Sequence, residues 1–287
     1  MEKISLIALD IGGTLLSDDN TISDDNLAAI SYAQKMGIKI ALATAREYSS
    51  TRYISNLINS DYGVFSNGSH IMNISTLTTL KKQILEKKAV LEILDYCKMN
   101  NIYIHLNQEF KEVSDKLDYF VLKHYLLNKN YPQELKSNCF IVDNLYEYVL
   151  TNEITKIVMV SEQGFEEEFT NLKKILMKYN LFITEYNKDL YEHILNKTIN
   201  YVEIGSCADT KGQGIVDLCD MLNIPREQVL TFGDGENNIE MFDKFTNSIC
   251  MKNGSDVAKQ KVKYITKNDN NYSGVAEGIY KYVKVGR

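Results

Sequence analysis

Four polar residues close predicted strands in this 287-residue chain, and a lysine opens a predicted helix. Asp10 follows the apolar run 4–9, Thr44 follows 38–43, Asn67 stands two residues past 63–65, Asp234 follows 229–232, and Lys211 precedes a helical stretch reaching about 222. Two carboxylates with oxygen ligands nearby suit Mg2+, a hard cation that takes a few carboxylates together with phosphate and water oxygens. A threonine hydroxyl and a lysine ammonium suit a phosphoryl group, the lysine acting as a point charge. A carboxylate can also be a nucleophile, forming an aspartyl-phosphate that water cleaves, while a metal screens its repulsion from an anionic ester. Each residue alone has a plainer use. Aspartate and threonine at strand ends often only shape turns, and a lysine at a helix start is often solvated. Asp234 is the most pointed, because Gly233 and Gly235 on either side of it imply a tight backbone turn.

Such groups meet only if their strands lie parallel in one sheet. Runs 4–9 and 38–43 are short, apolar and β-prone, as in strands buried on both faces of a parallel sheet. Between them Ser23 caps a predicted helix with Asp24 and Asp25 in its first turn, ending at Gly37. A second helix is predicted over 47–58. This strand–helix–strand order implies right-handed crossovers and brings the strand ends to one rim. From Lys81 to about Ile199 the pattern changes. Helix-like stretches at 89–100 and 165–179 alternate with strand-like ones at 102–106, 156–160 and 181–186, and Gly164 is the only glycine. This reads as an inserted α+β domain packed over the first. The α/β character returns near Tyr201, with strands predicted at 229–232, 247–251 and 264–266 and a closing helix at 275–283. The expected fold is therefore α/β: a doubly wound, Rossmann-like parallel-sheet core over 1–80 and 197–287, with an α+β cap domain at 81–196.

Composition narrows the function classes. Hydrophobic residues make up 44% and charged residues 24%, ordinary for a globular protein, and the net charge of −6 comes with no dense basic cluster. Nucleic-acid and anionic-membrane partners are not expected. No apolar stretch approaches the roughly 18 residues of a membrane span, and the N-terminal run, brief and cut short by Asp10, does not read as a signal peptide. Five widely spaced cysteines without a CxxC pair read as reduced thiols, mostly filling cores, in a cytoplasmic protein. The acidic segment 17–21 lacks the glycine and glutamate of a calcium loop. His105, His124 and His193 read as packing or surface residues, and the sequence is silent on oligomeric state.

Taken in order, these motifs resemble those of haloacid-dehalogenase-superfamily hydrolases, in particular the Cof-type phosphatases, which carry a large cap inserted between core halves. The family's opening DxDGT stands here as Asp10-Ile11-Gly12-Gly13-Thr14, and its Thr-Gly-Arg as Thr44-Ala45-Arg46. Its Asn-Gly-Ala is matched by Asn67-Gly68-Ser69, its motif-three lysine by Lys211 before Gly212, and its GDxxND by Gly233-Asp234-Gly235-Glu236-Asn237-Asn238. Met251-Lys252-Asn253-Gly254 and Ser273-Gly274-Val275-Ala276 resemble the usual end of the core. The resemblance implies a Mg2+-dependent phosphatase of small phosphorylated metabolites. Asp10 would be nucleophile and metal ligand, and Thr44, Lys211, Asn67 and Gly68 would hold the phosphate. Asp234 and the backbone carbonyl of Gly12 would ligate Mg2+, Asn237 would bond the phosphate or order its loop, and the cap would select the leaving group.

Three positions depart from the pattern. Gly12 stands where the family has the aspartate that acts as general acid/base, a loss of about 10²–10⁴-fold in rate. Asn238 replaces an acidic residue near the metal, and Ala45 replaces a glycine in the phosphate turn. Two readings follow: a slow phosphatase, or a retired phosphatase core that binds a phosphorylated ligand without turning it over. A nucleotide-binding loop around Lys211 is disfavoured, because residue 210 is a threonine where that motif has glycine.

Overall fold

The apolar run that opens the chain becomes a strand whose four residues are all buried. The computed structural model describes residues 3–129, 136–162, 169–188, 199–206 and 210–283. In chain order the strands are β1 (Leu6–Leu9), β2 (Lys39–Ala43), β3 (Tyr62–Phe65), β4 (His70–Asn73), β5 (Thr78–Lys82), β6 (Tyr103–Asn107) and β7 (Glu112–Ser114). There follow β8 (Cys139–Ile141), β9 (Lys156–Ser161), β10 (Leu181–Lys188), β11 (Ile199–Ser206), β12 (Val229–Gly233), β13 (Asn247–Cys250) and β14 (Tyr264–Ile265).

Two compact units result, one made of Met1–Arg46, Tyr53–Lys81 and Asp209–Arg287, the other of Glu47–Arg52 and Lys82–Ala208. The first unit holds an eight-stranded sheet in the order β14-β13-β12-β1-β2-β3-β4-β5. From β14 to β3 every pairing is parallel, and β4 then runs antiparallel to β3. The chain lays strands outward from β1 to β3 and later outward from β12 to β14, so the order reverses between β1 and β12. Such a switch point opens a crevice at the carboxyl ends of the two strands. Helices cross over between strands, as parallel pairing requires. The first, Asp24–Lys35, is capped by Ser23, whose hydroxyl accepts from the Asn26 N–H at 3.3 Å.

The second unit holds a six-stranded sheet in the order β10-β11-β9-β6-β7-β8. Side chains alternate across it. Ile104, Leu106, Ile157, Met159, Val202 and Ile204 face helices Lys87–Met99, Leu145–Thr151 and Phe169–Lys178 in one apolar core. Tyr103, Val158, Val160 and Tyr201 lie on the opposite face with Tyr119 and Phe120 of helix Tyr119–Asn128.

The structure moves one expected boundary. Residues 199–206, assigned to the returning core, form β11 in the middle of the second sheet, because they pair along their length with β10 and also with β9. It also adds elements not expected, the β4–β5 pair, β7, β8 and the helices Tyr119–Asn128, Leu145–Thr151 and Asp256–Lys259. Cys97, Cys219 and Cys250 are buried, in line with cysteines that mostly fill cores, and Cys139 is partly buried beside Glu112. His105 is buried and His124 pairs with Glu112. Cys207 and His193 lie outside the described residues. Among the described residues no helix is long and apolar enough to cross a membrane.

Candidate active site

Asp10 follows β1 and Asp234 follows β12, so the two aspartates flank the switch point, with the loop residue Thr14 joined to Asp234. Asp10 is 4% exposed, and its Oδ1 accepts from Lys211 Nζ at 2.8 Å. Lys211 opens helix Lys211–Leu222, whose cap is the Thr210 hydroxyl accepting from the Gln213 N–H at 3.1 Å. Asp234 Oδ1 accepts from Thr14 Oγ1 at 3.1 Å. The two carboxylates are close enough to share a hydrogen bond, and burial, followed by the charge of Asp10, pushes Asp234 up to about 6. The pair thus carries more negative charge than one ammonium offsets. This all-oxygen, over-acidic donor set fits a hard divalent cation, which Asp10 and Asp234 would hold.

The same shift fixes a sign for stability. Asp234 has a folded pKa above the ordinary 3.8, so the folded state binds more protons than the unfolded state between those values. Its contribution is fully present below the unfolded value and is lost as pH rises through about 6. In chelator-treated protein, Asp234→Asn should therefore gain stability over the parent across this window, by about 2–3 kcal/mol. Melting curves from pH 4 to 7 check it, and parallel curves for the two proteins would refute it.

Thr44 follows β2 and is buried. Its N–H donates to Val64 O at 2.9 Å, and its hydroxyl accepts from the Arg46 N–H at 3.2 Å, leaving the hydroxyl proton free to donate. The Asn67 N–H donates to Thr44 O at 3.1 Å, tying the turns after β2 and β3 together. Gly68 completes that second turn at φ +101°, and a Cβ there would meet Thr210 O at 2.3 Å. The turn is thereby held against the cap of the lysine helix. Gly68→Ala must distort both, at a cost of about 2–4 kcal/mol read by urea denaturation. An unchanged midpoint would contradict this packing.

The loop after β1 is organised around Gly13, whose φ is +69° and whose added Cβ would lie 2.2 Å from Asp234 Oδ2. Gly12 is exposed, has ordinary φ −76° and ψ 130°, and has nothing within 4 Å of an added Cβ. Asn237 is also exposed, and no hydrogen bond among the described residues ties it to the acidic pair.

Two organising residues, Asn253 and Asn270, were not singled out from sequence for a role at the site. Asn253 Nδ2 donates to Gly13 O at 2.7 Å, and its Oδ1 accepts from the Asn270 N–H at 3.1 Å. Asn270 Nδ2 in turn donates to Leu16 O and to Asp18 Oδ1, both at 3.0 Å. Asp18 is thereby engaged in pinning the loop. Asn238 is fully buried, with Oδ1 accepting from the N–H groups of Asp234 and Gly235 at 2.9 Å each, so it shapes the acidic loop. The only sequence signal for Asn253 was its place in Met251-Lys252-Asn253-Gly254.

A carboxylate pair and a buried lysine at the switch point of an α/β core, with Thr44 closing the neighbouring strand, form the candidate site. The family model of the haloacid dehalogenase-like hydrolases matches residues 7–279, and the chain belongs to that family. Two Bacillus subtilis proteins named 5-amino-6-(5-phospho-D-ribitylamino)uracil phosphatase are similar to it. YcsE is 24% identical over 281 residues, covering 98% of this chain and 96% of its own. YitU is 25% identical over 282 residues, covering 98% of each. Among solved structures, a haloacid dehalogenase-like hydrolase from Bacteroides thetaiotaomicron superposes with a TM-score of 0.81 at 22% identity, covering 97% of this chain and 99% of its own.

Proposed function

We propose that the protein is a slow Mg2+-dependent phosphatase of small phosphorylated metabolites, with Asp10 as nucleophile. The observation that carries the reading is the buried Asp10–Lys211 pair beside Asp234. Asp10 attacks phosphorus, the alcohol leaves, and the aspartyl-phosphate is hydrolysed by water. Lys211 sets the orientation of the Asp10 carboxylate and offers a cation to the phosphoryl oxygens. The Thr44 hydroxyl donates to the same group, and the turn at Asn67 and Gly68 frames it. Mg2+ would be held by Asp10, Asp234 and the Gly12 carbonyl, and would supply charge neutralisation. The relatives' names suggest a phosphorylated ribityl compound as one substrate to try.

Gly12 limits the chemistry. It has no side chain to protonate the leaving oxygen or to activate water. A leaving group of low pKa needs protonation least, so an aryl phosphate should turn over at least about tenfold faster than a sugar phosphate. The assay is a panel of both ester types with Mg2+, and equal, negligible rates on both would refute the phosphatase reading. The bare position 12 also favours a second reading, a phospho-ligand-binding protein. It predicts that Mg2+ with a phosphorylated compound raises the melting temperature without release of phosphate, and it falls if the melt does not move.

A further inference from the structure

The second unit gathers a different set of donors. Glu112 on β7, Cys139 on β8 and His124 on helix Tyr119–Asn128 bring a carboxylate oxygen, a thiol sulfur and a ring nitrogen within 4.8 Å of one another. Glu112 is 5% exposed. Its Oε2 is 2.6 Å from His124 Nδ1 and 3.6 Å from Cys139 Sγ. The cause is topological. β7 and β8 pair in parallel with Glu112 opposite Cys139, so both side chains leave the same face of the sheet, and the helix Tyr119–Asn128 packs on β7 and β8.

Two further lone-pair donors on the same face lack a partner among the described residues. Asn107 pairs across the ladder with Glu112 and is 2% exposed, and among the described residues its Oδ1 accepts no hydrogen bond. His105, also 2% exposed, stands two residues earlier on β6, is close enough to Glu112 and His124 to feel their charges, and its Nδ1 has no partner among the described residues. Glu47, buried in the same unit, adds a second carboxylate whose field reaches both Glu112 and His124. A buried orphan polar atom is costly. Two such atoms beside a carboxylate, an imidazole and a thiol make this face rich in lone pairs.

We propose that Glu112, His124 and Cys139 bind one borderline-soft divalent cation of the zinc class. The donor chemistry selects it, since sulfur, nitrogen and oxygen together suit zinc, whereas Mg2+ takes oxygen alone. The geometry is close to ready. Tetrahedral zinc with bonds of about 2.0–2.3 Å separates its ligand atoms by roughly 3.3–3.8 Å. The Glu112–Cys139 separation lies in that range, and the Glu112–His124 contact must open by less than about 1 Å. On binding, the ion takes the carboxylate of Glu112, a ring nitrogen lone pair of His124 and the sulfur of Cys139. The thiol proton, and any proton on the bound ring nitrogen, pass to solvent. Three protein ligands leave a fourth position open, and the ion joins the helix Tyr119–Asn128 to two strands of the sheet.

The experiment uses the full chain, stripped with chelator and dialysed against limiting Zn2+ in excess Mg2+, with bound metal read by mass spectrometry. The wild type and Asp234→Asn should each retain about one zinc, while Cys139→Ala and His124→Gln should lose affinity by about 100-fold or more. Circular dichroism of the metal-free variants checks folding. The Co2+ adduct of the wild type should show thiolate-to-cobalt charge transfer, absent in Cys139→Ala. Zinc that Cys139→Ala retains undiminished, or that Asp234→Asn alone removes, overturns the proposal. So does a wild-type Co2+ adduct without charge transfer, which decides the matter even if the variants do not fold.

Discussion

Gly12→Asp should raise phosphatase turnover by about 10²-fold or more, the scale of a positioned general acid/base. The backbone is prepared for it. Gly12 has a β-region φ and ψ that any residue adopts, and nothing lies within 4 Å of the new Cβ. The gain should be largest on sugar phosphates, whose leaving alkoxide most needs a proton, and smallest on aryl phosphates. The contrast with Gly13 is sharp. One residue on, a side chain would drive into Asp234 from a left-handed backbone, so Gly13→Ala should abolish rather than improve the site. A Gly12→Asp protein that folds normally yet gains nothing on either ester class would refute the idea that only the acid/base is missing.

Asp10→Asn should reduce turnover to background, a loss on the order of 10⁴–10⁶-fold as for other removed nucleophiles. Binding should survive. Asparagine keeps an oxygen for the Lys211 ammonium, and removing one of two adjacent carboxylates lowers the repulsion an anionic phosphate meets. A phosphorylated ligand should therefore raise the melting temperature of Asp10→Asn at least as much as that of the parent. Residues that act as one unit are not additive, so Asp10→Asn combined with Gly12→Asp should be no faster than Asp10→Asn alone. Any rise produced by Gly12→Asp in that background would show that phosphoryl transfer does not pass through Asp10.

The sequence by itself determined the parts of this protein that short-range chemistry controls. Runs such as 38–43 are too apolar to be anything but buried, and residues 39–43 of that run form β2. Ser23 ahead of Asp24 and Asp25 starts a helix by satisfying its own backbone, and the structure keeps that cap. The strand ends carrying Asp10, Thr44, Asn67 and Asp234 were also legible, because in a parallel sheet the polar group closing a strand lies next to it in the chain.

Only the tertiary structure decided what meets what. Asp10 and Lys211 are 201 positions apart and touch because the helix Lys211–Leu222 packs on β3 and on the turn after it, which sets its first residue at the rim where β1 ends. Residues 199–206 looked like core because an apolar strand reads alike in either sheet, and only the β10–β11 pairing assigns it. The Glu112, His124 and Cys139 cluster had no signal at all. Its members sit at irregular spacing, and they converge only through the parallel β7–β8 register and the helix packed on it. Local free energy selects strands, helices and caps, whereas register and packing depend on contacts between distant residues, which no stretch of the chain contains.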